Sequence, residues 1–100
     1  MNKKIRIKHP GELLKSEFIE PNELTVYRVA KDSGIPQPTL QLIVTGKRSI
    51  TSETALRLGI YFGIDAQFWM NLQSEYDLRM TKTAKFEQIE KEVHPLAKAA

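Results

Sequence analysis

Apolar residues along this chain recur at helical spacing, and no four-residue stretch alternates convincingly between apolar and polar. No Asn-Gly or Asp-Gly hairpin signal lies between the apolar clusters, so every candidate element reads as helix. The first helix opens at Pro10, whose missing N–H costs nothing in a first turn; Leu13, Leu14 and Phe18 face one side, and Pro21 ends it. The second takes Thr25 as N-cap, with Leu24 stapled onto Val29. Val26, Val29, Ala30 and Ser33 fall at i, i+3, i+4 and i+7, and Gly34 supplies the positive φ of a tight turn. The third is expected to start at Pro38 with Gln37 as cap, because proline biases the preceding residue away from helical dihedrals. It points Leu40, Ile43 and Val44 inward and stops at Gly46. The fourth has Thr51 as N-cap, Ile50 and Ala55 as staple, Leu56, Leu58 and Phe62 as apolar positions, and Gly63 at its end. The fifth opens at Asp65 and collects Phe68, Trp69, Leu72 and Tyr76 on its apolar face. A last segment, residues 82–93, sets Phe86, Ile89 and Val93 at helical spacing before Pro95.

Two short helices joined by a glycine turn, with a small residue where they cross, predict a helix-turn-helix. Ala30 must be small because the third helix crosses the second there; Ile35, Leu40 and Ile43 must fill the angle between them. If the third helix enters a DNA major groove by its N-terminus, its first turn has to lie close to bases and phosphates. Pro38 stiffens that turn without losing a hydrogen bond. On a helical wheel Pro38, Gln41, Leu42 and Thr45 lie opposite the inward residues, and Gln37 projects from the leading end. Glutamine can bond adenine N6 and N7; proline, the threonine methyl and leucine can touch the thymine methyl, so the surface predicts sites weighted toward A·T pairs. An outward Leu42 is thus an apolar base reader, the alternative being a contact with the fourth helix or a partner. Thr25, Thr45, Lys47 and Arg48 fall where helix ends approach phosphates.

Charge sharpens this picture. The net charge of +3 is modest, but residues 24–52 hold Arg28, Lys31, Lys47 and Arg48 against Asp32 alone, between flanking stretches of net −3 (10–23) and −2 (53–79). Residues 1–9 carry Lys3, Lys4, Arg6 and Lys8 with no acid. One hundred residues with 41% apolar content fit one small domain, and the absence of cysteine excludes disulfides and thiolate zinc sites. No apolar run approaches the roughly 20 residues of a membrane span, and no apolar stretch follows the N-terminal cations as in a signal peptide, so a cytoplasmic protein is expected. No catalytic motif, metal set or cofactor loop is found, and an enzyme is not expected. His9 and Glu12 read as caps of the first helix, His94 stands alone, Asp65 caps the fifth helix, and Asp77 is expected to pair with Arg79 or be solvated.

Several strings resemble the HigA-type antitoxins, also called the VapI or addiction-module family, within the phage-repressor-like (Xre/Cro) helix-turn-helix superfamily. They are "HPGELLKSEFIEP" at 9–21, "GIPQPTLQLIVTGKRSIT" at 34–51, "TALRLGIYFG" at 54–63 and "FWMNLQSEYDLR" at 68–79, the last being the most family-specific. The resemblance covers about residues 7–80. It implies an all-α, five-helix phage-repressor-like domain with a short C-terminal helical extension. It further implies a homodimer on a palindromic, double-stranded operator in its own operon, and a RelE-like, mRNA-cleaving toxin as protein partner. Carried onto this chain, the base-reading positions are Gln37, Pro38, Thr39, Gln41 and Leu42, and the phosphate positions are Thr25, Arg28, Thr45, Lys47 and Arg48. Val26 and Leu42 depart from the polar residues common in the superfamily at those places. The expected organisation is a basic arm (1–8), a DNA-binding domain (9–80), and a C-terminal helix and tail (81–100). Five short helices leave apolar faces over, so a twofold interface is expected through Phe68, Trp69, Leu72 and Tyr76, with a plain monomer core as the alternative. A protein-interaction module that kept the fold but not the operator is the competing function.

Overall fold

The computed structural model describes residues 7–97, which are all-helical and contain no strand. Helix α1 (Pro10–Leu14) runs on without a break as a π-helical stretch (Lys15–Ile19), followed by α2 (Val26–Ser33), α3 (Gln37–Val44), α4 (Ser52–Phe62) and α5 (Ala66–Glu92). The caps follow the side chains that can serve them. Thr25 accepts the Arg28 N–H at 3.0 Å, Thr51 accepts the Thr54 N–H at 3.3 Å and Asp65 accepts the Gln67 N–H at 3.0 Å. Gly34 and Gly63 close α2 and α4 in the left-handed conformation.

Three boundaries differ from the sequence reading. The π-helical stretch was not foreseen; the Glu20 N–H reaches the Lys15 carbonyl, five residues back. Helix α3 starts one residue early, at Gln37, because extended Pro36 acts as its N-cap and accepts the Leu40 N–H at 3.0 Å. Pro38 then sits inside the first turn, where its absent N–H is not needed. The segment expected as a separate last helix is a continuation of α5, since neither glycine nor proline interrupts residues 66–92.

The core joins Leu14, Ile19, Val29, Ala30, Ile35, Leu40, Ile43, Val44, Ile50, Ala55, Leu58 and Trp69. Trp69 is therefore not an interface residue: it is fully buried in its own chain, with the rings of Phe18, Phe68 and Phe62 centred 4.8, 5.1 and 6.1 Å away. Leu56 is exposed, not a core position. The inward stripe of α4 is Ala55, Leu58 and Gly59, which turns Leu56 to the opposite side. Gly59 is fixed by the start of α5: a Cβ there would lie 2.5 Å from the Ile64 carbonyl oxygen.

His9 caps α1 as expected, its Nδ1 accepting the Gly11 N–H at 2.9 Å, while its ring meets Tyr76 edge-on at 4.9 Å. Burial disfavours the charged imidazolium and lowers its pKa below the ordinary 6.5, more than nearby Glu12 and Asp77 raise it. The unfolded chain therefore binds this proton more tightly than the folded one. Stability should be intact above the ordinary value and fall as pH drops from there through the lowered one. Thermal melts at stepped pH should show this fall in the wild type and a flatter profile in His9→Asn, which can still cap.

A second polar tie was missed in the sequence. The buried Gln73 accepts the Ile50 N–H at 2.8 Å through Oε1, and its Nε2 donates to Asp77 at 3.0 Å. Asp77 thus serves Gln73, not Arg79. This bond pins the loop between α3 and α4 to α5. Gln73→Ala leaves a buried N–H unpaired and should destabilise the chain by about 1–3 kcal/mol in a denaturant titration.

Candidate nucleic-acid interface

The turn and the recognition segment are held from behind. Gly34 turns with φ 76°, and its N–H bonds the Ala30 carbonyl at 3.0 Å. Leu40, Ile43 and Val44 anchor α3 in the core, and α1 packs directly on its backbone. At that crossing, Gly11 leaves no room for a side chain: a Cβ would fall 1.6 Å from the Ile43 carbonyl oxygen.

The opposite side of α3 is open. Gln37, Pro38, Gln41 and Leu42 are exposed, Leu42 by 40%, and none of the four side chains is hydrogen-bonded within the described residues. The two glutamine amides thus keep their full donor and acceptor capacity. Leu42 is not one of the residues of the buried core. Thr39 differs from the other expected readers: it is half-buried and lines a cleft with Ile35, Pro36, Arg48, Thr51 and Thr54.

The residues expected at phosphates form two groups. Thr25 accepts from the helix with its Oγ1, which leaves its own O–H free to donate outward at the N-terminus of α2. Lys47 and Arg48 are exposed and carry no ion pair among the described residues. They are aimed by the end of α3, where the Lys47 N–H returns to the Leu42 carbonyl at 2.8 Å and the Gly46 N–H to that of Ile43 at 3.0 Å. The other two are engaged. Arg28 donates Nε to Asp32 at 2.6 Å, and this partner raises its pKa. Thr45 donates its hydroxyl to the carbonyls of Gln41 and Leu42, 2.9 and 3.2 Å away. Thr45 has to exchange a bond to take a phosphate, whereas Arg28 commits only Nε and keeps both Nη groups as donors.

Arg57 was not singled out in the sequence, although its i,i+4 spacing from Glu53 is legible. Its Nη2 lies 3.0 Å from Glu53, and its Nη1 donates to the Ser33 carbonyl at 3.3 Å, so α4 grips the turn itself. The basic arm expected over residues 1–8 lies largely outside the described residues.

Because Arg48 is unpaired and sits off the base-reading surface, Arg48→Ala should weaken all DNA sequences alike and lower the salt slope of binding by about one. Fluorescence anisotropy against two unrelated duplexes at stepped salt checks this; a sequence-dependent loss would contradict it.

Residues 16–69 match the model of a helix-turn-helix family. The chain is 44% identical over 77 residues to virulence-associated protein I of Dichelobacter nodosus, covering 77% of this chain and 71% of the relative. It is 33% identical over 86 residues to antitoxin HigA-1 of Vibrio cholerae, covering 86% and 80% of the two chains. Its structure superposes on that of the Pseudomonas aeruginosa antitoxin HigA with higBA promoter with a TM-score of 0.87 and 43% identity, over 92% of this chain and 100% of the other.

Proposed function

Because this chain belongs to the helix-turn-helix family, as its match over residues 16–69 and its kinship with HigA antitoxins establish, we propose that it is an antitoxin and an autorepressor of its own operon. It binds an operator as a homodimer and neutralises a RelE-like toxin. The family is one of transcription regulators and not of enzymes. The single observation that carries the DNA reading is the bare leading end of α3. Gln37, Pro38, Gln41 and Leu42 face outward, while the back of the same helix is locked by α1 and the core.

In this reading Gln37 and Gln41 read adenine edges, and Pro38, Thr39 and Leu42 contact thymine methyls. Thr25, Lys47 and Arg48 set register on the phosphates, joined by Arg28 through its two Nη groups and by Thr45 once its internal bond is exchanged. Residues 9–80 form the DNA-binding domain. The toxin partner is supported by kinship with antitoxins, one from Vibrio cholerae and one solved with promoter DNA.

The test is a titration of the protein onto the DNA upstream of its own gene at rising salt, with footprinting. A symmetric footprint and a steep loss of affinity with salt support the repressor. No footprint at low salt leaves a protein-interaction module. Co-purification with a co-expressed small basic toxin from the neighbouring gene, and relief of its mRNA cleavage, tests the second activity.

A further inference from the structure

The two ends of α3 are held differently. Its trailing half meets α1, where Gly11 lies against the Ile43 carbonyl. Its leading turn faces α4 across an open cleft, with Pro36 and Thr39 on one side and Glu53 and Arg57 on the other. The pose of that leading turn, and of Gln37 on it, therefore depends on how the preceding turn at Gly34 is fixed.

Arg57 reaches this turn from α4. Its Nε and Nη2 donate to Glu53 Oε2, one helical turn earlier, at 3.1 and 3.0 Å. Two bonds to one carboxylate fix the plane of the guanidinium, which aims Nη1 at the Ser33 carbonyl, 3.3 Å away. Ser33 is the last residue of α2, so its carbonyl has no partner inside that helix. A cation at that end also opposes the negative pole of the helix dipole. Gly34 provides the seat: a Cβ there would stand 2.6 Å from Nη1 and push the guanidinium off. The turn is thus tied inward by buried Ile35 and outward by Arg57.

We infer that Arg57, anchored by Glu53, is a positioning residue for base recognition: it sets the pose of the turn and so the aim of Gln37, without touching DNA itself. The inference rests on the proposed operator reading and adds the brace that aims it.

The test is a titration of operator and scrambled duplexes at stepped salt, each protein held at a temperature where its melt shows it folded. Arg57→Ala should weaken the operator complex about tenfold and leave the scrambled duplex and the salt slope unchanged. Arg57→Lys keeps the charge but not the planar fork, so it should not restore operator affinity. Gln37→Ala should cost less in the Arg57→Ala background than in the wild type, because the amide it removes is already misaimed. An equal loss on both duplexes with a lower salt slope, or rescue by lysine, overturns the inference and makes Arg57, whose side chain is 43% exposed, a phosphate contact. A lower melt with operator affinity intact, or additive losses with Gln37→Ala, overturns it in favour of a purely structural tie.

Amide exchange in the free protein separates this inference from the operator reading. The Gly34 N–H, bonded to Ala30, and the Leu40 N–H, bonded to Pro36, should exchange about tenfold faster in Arg57→Ala, while that of core Leu58 keeps its wild-type rate. Unchanged exchange at the turn overturns the brace even where the footprint is present. A missing wild-type footprint with faster exchange at the turn overturns the repressor and leaves the brace standing.

Discussion

Gly11→Ala should lower stability by about 3 kcal/mol or more, a shift of roughly 12–24 °C in a domain of this size. The reason is geometric. An alanine Cβ at this position would fall 1.6 Å from the Ile43 carbonyl oxygen and 2.5 Å from its carbon, both backbone atoms of α3. No side-chain rotation relieves such a conflict, so α1 or α3 has to move. Because α3 is the recognition helix, movement displaces the surface that faces DNA, and operator affinity should fall even at temperatures where the variant stays folded. Gly63→Ala is the control. Gly63 has φ 72° and open space where an alanine Cβ would lie, so only its backbone conformation is strained, at about 1 kcal/mol. Melts of both variants by circular dichroism separate the two effects; similar shifts would mean that the crossing of α1 and α3 is not held by contact at Gly11.

The second large effect is on recognition. Gln37→Ala and Gln41→Ala should each weaken the operator complex by about 1–3 kcal/mol, and the double variant by roughly the sum, while affinity for unrelated DNA barely changes. Both amides are exposed and free of internal bonds, so their removal leaves no unpaired group in the free protein. Their loss should appear only in the complex. Competition binding with operator and scrambled duplexes reads the difference. An equal loss on both duplexes would assign the glutamines to phosphates instead of bases.

Much of this site was legible before any coordinates. Cap residues and turn glycines announce themselves locally, so α2, the turn at Gly34 and the ends of α4 fall where the side chains place them. The inward and outward sides of α3 follow from spacing alone. What spacing cannot carry is who meets whom across the fold. Gly11 looks like an ordinary weak helix residue until Ile43 is seen against it. Gln73 reads as a surface amide, yet it satisfies an N–H 23 residues away. Leu56 differs for a related reason: a short helix buries a narrow stripe, and the neighbouring helices decide which one, while Trp69 is taken into the core by the rings of Phe18, Phe62 and Phe68. The last segment is part of α5 because nothing in residues 66–92 breaks the helix, a continuity that apolar spacing alone does not reveal.

The central claim is that the leading end of α3 touches base edges, and a chemical double-mutant cycle tests it most directly. Within the footprint, each adenine is replaced in turn by 7-deazaadenine, which lacks the N7 acceptor, and binding is measured for the wild type, Gln37→Ala and Gln41→Ala. The account predicts at least one adenine whose modification weakens wild-type binding but not that of one glutamine variant, with a coupling of about 0.5–3 kcal/mol. Additive losses at every adenine, with no coupling to either glutamine, would contradict it.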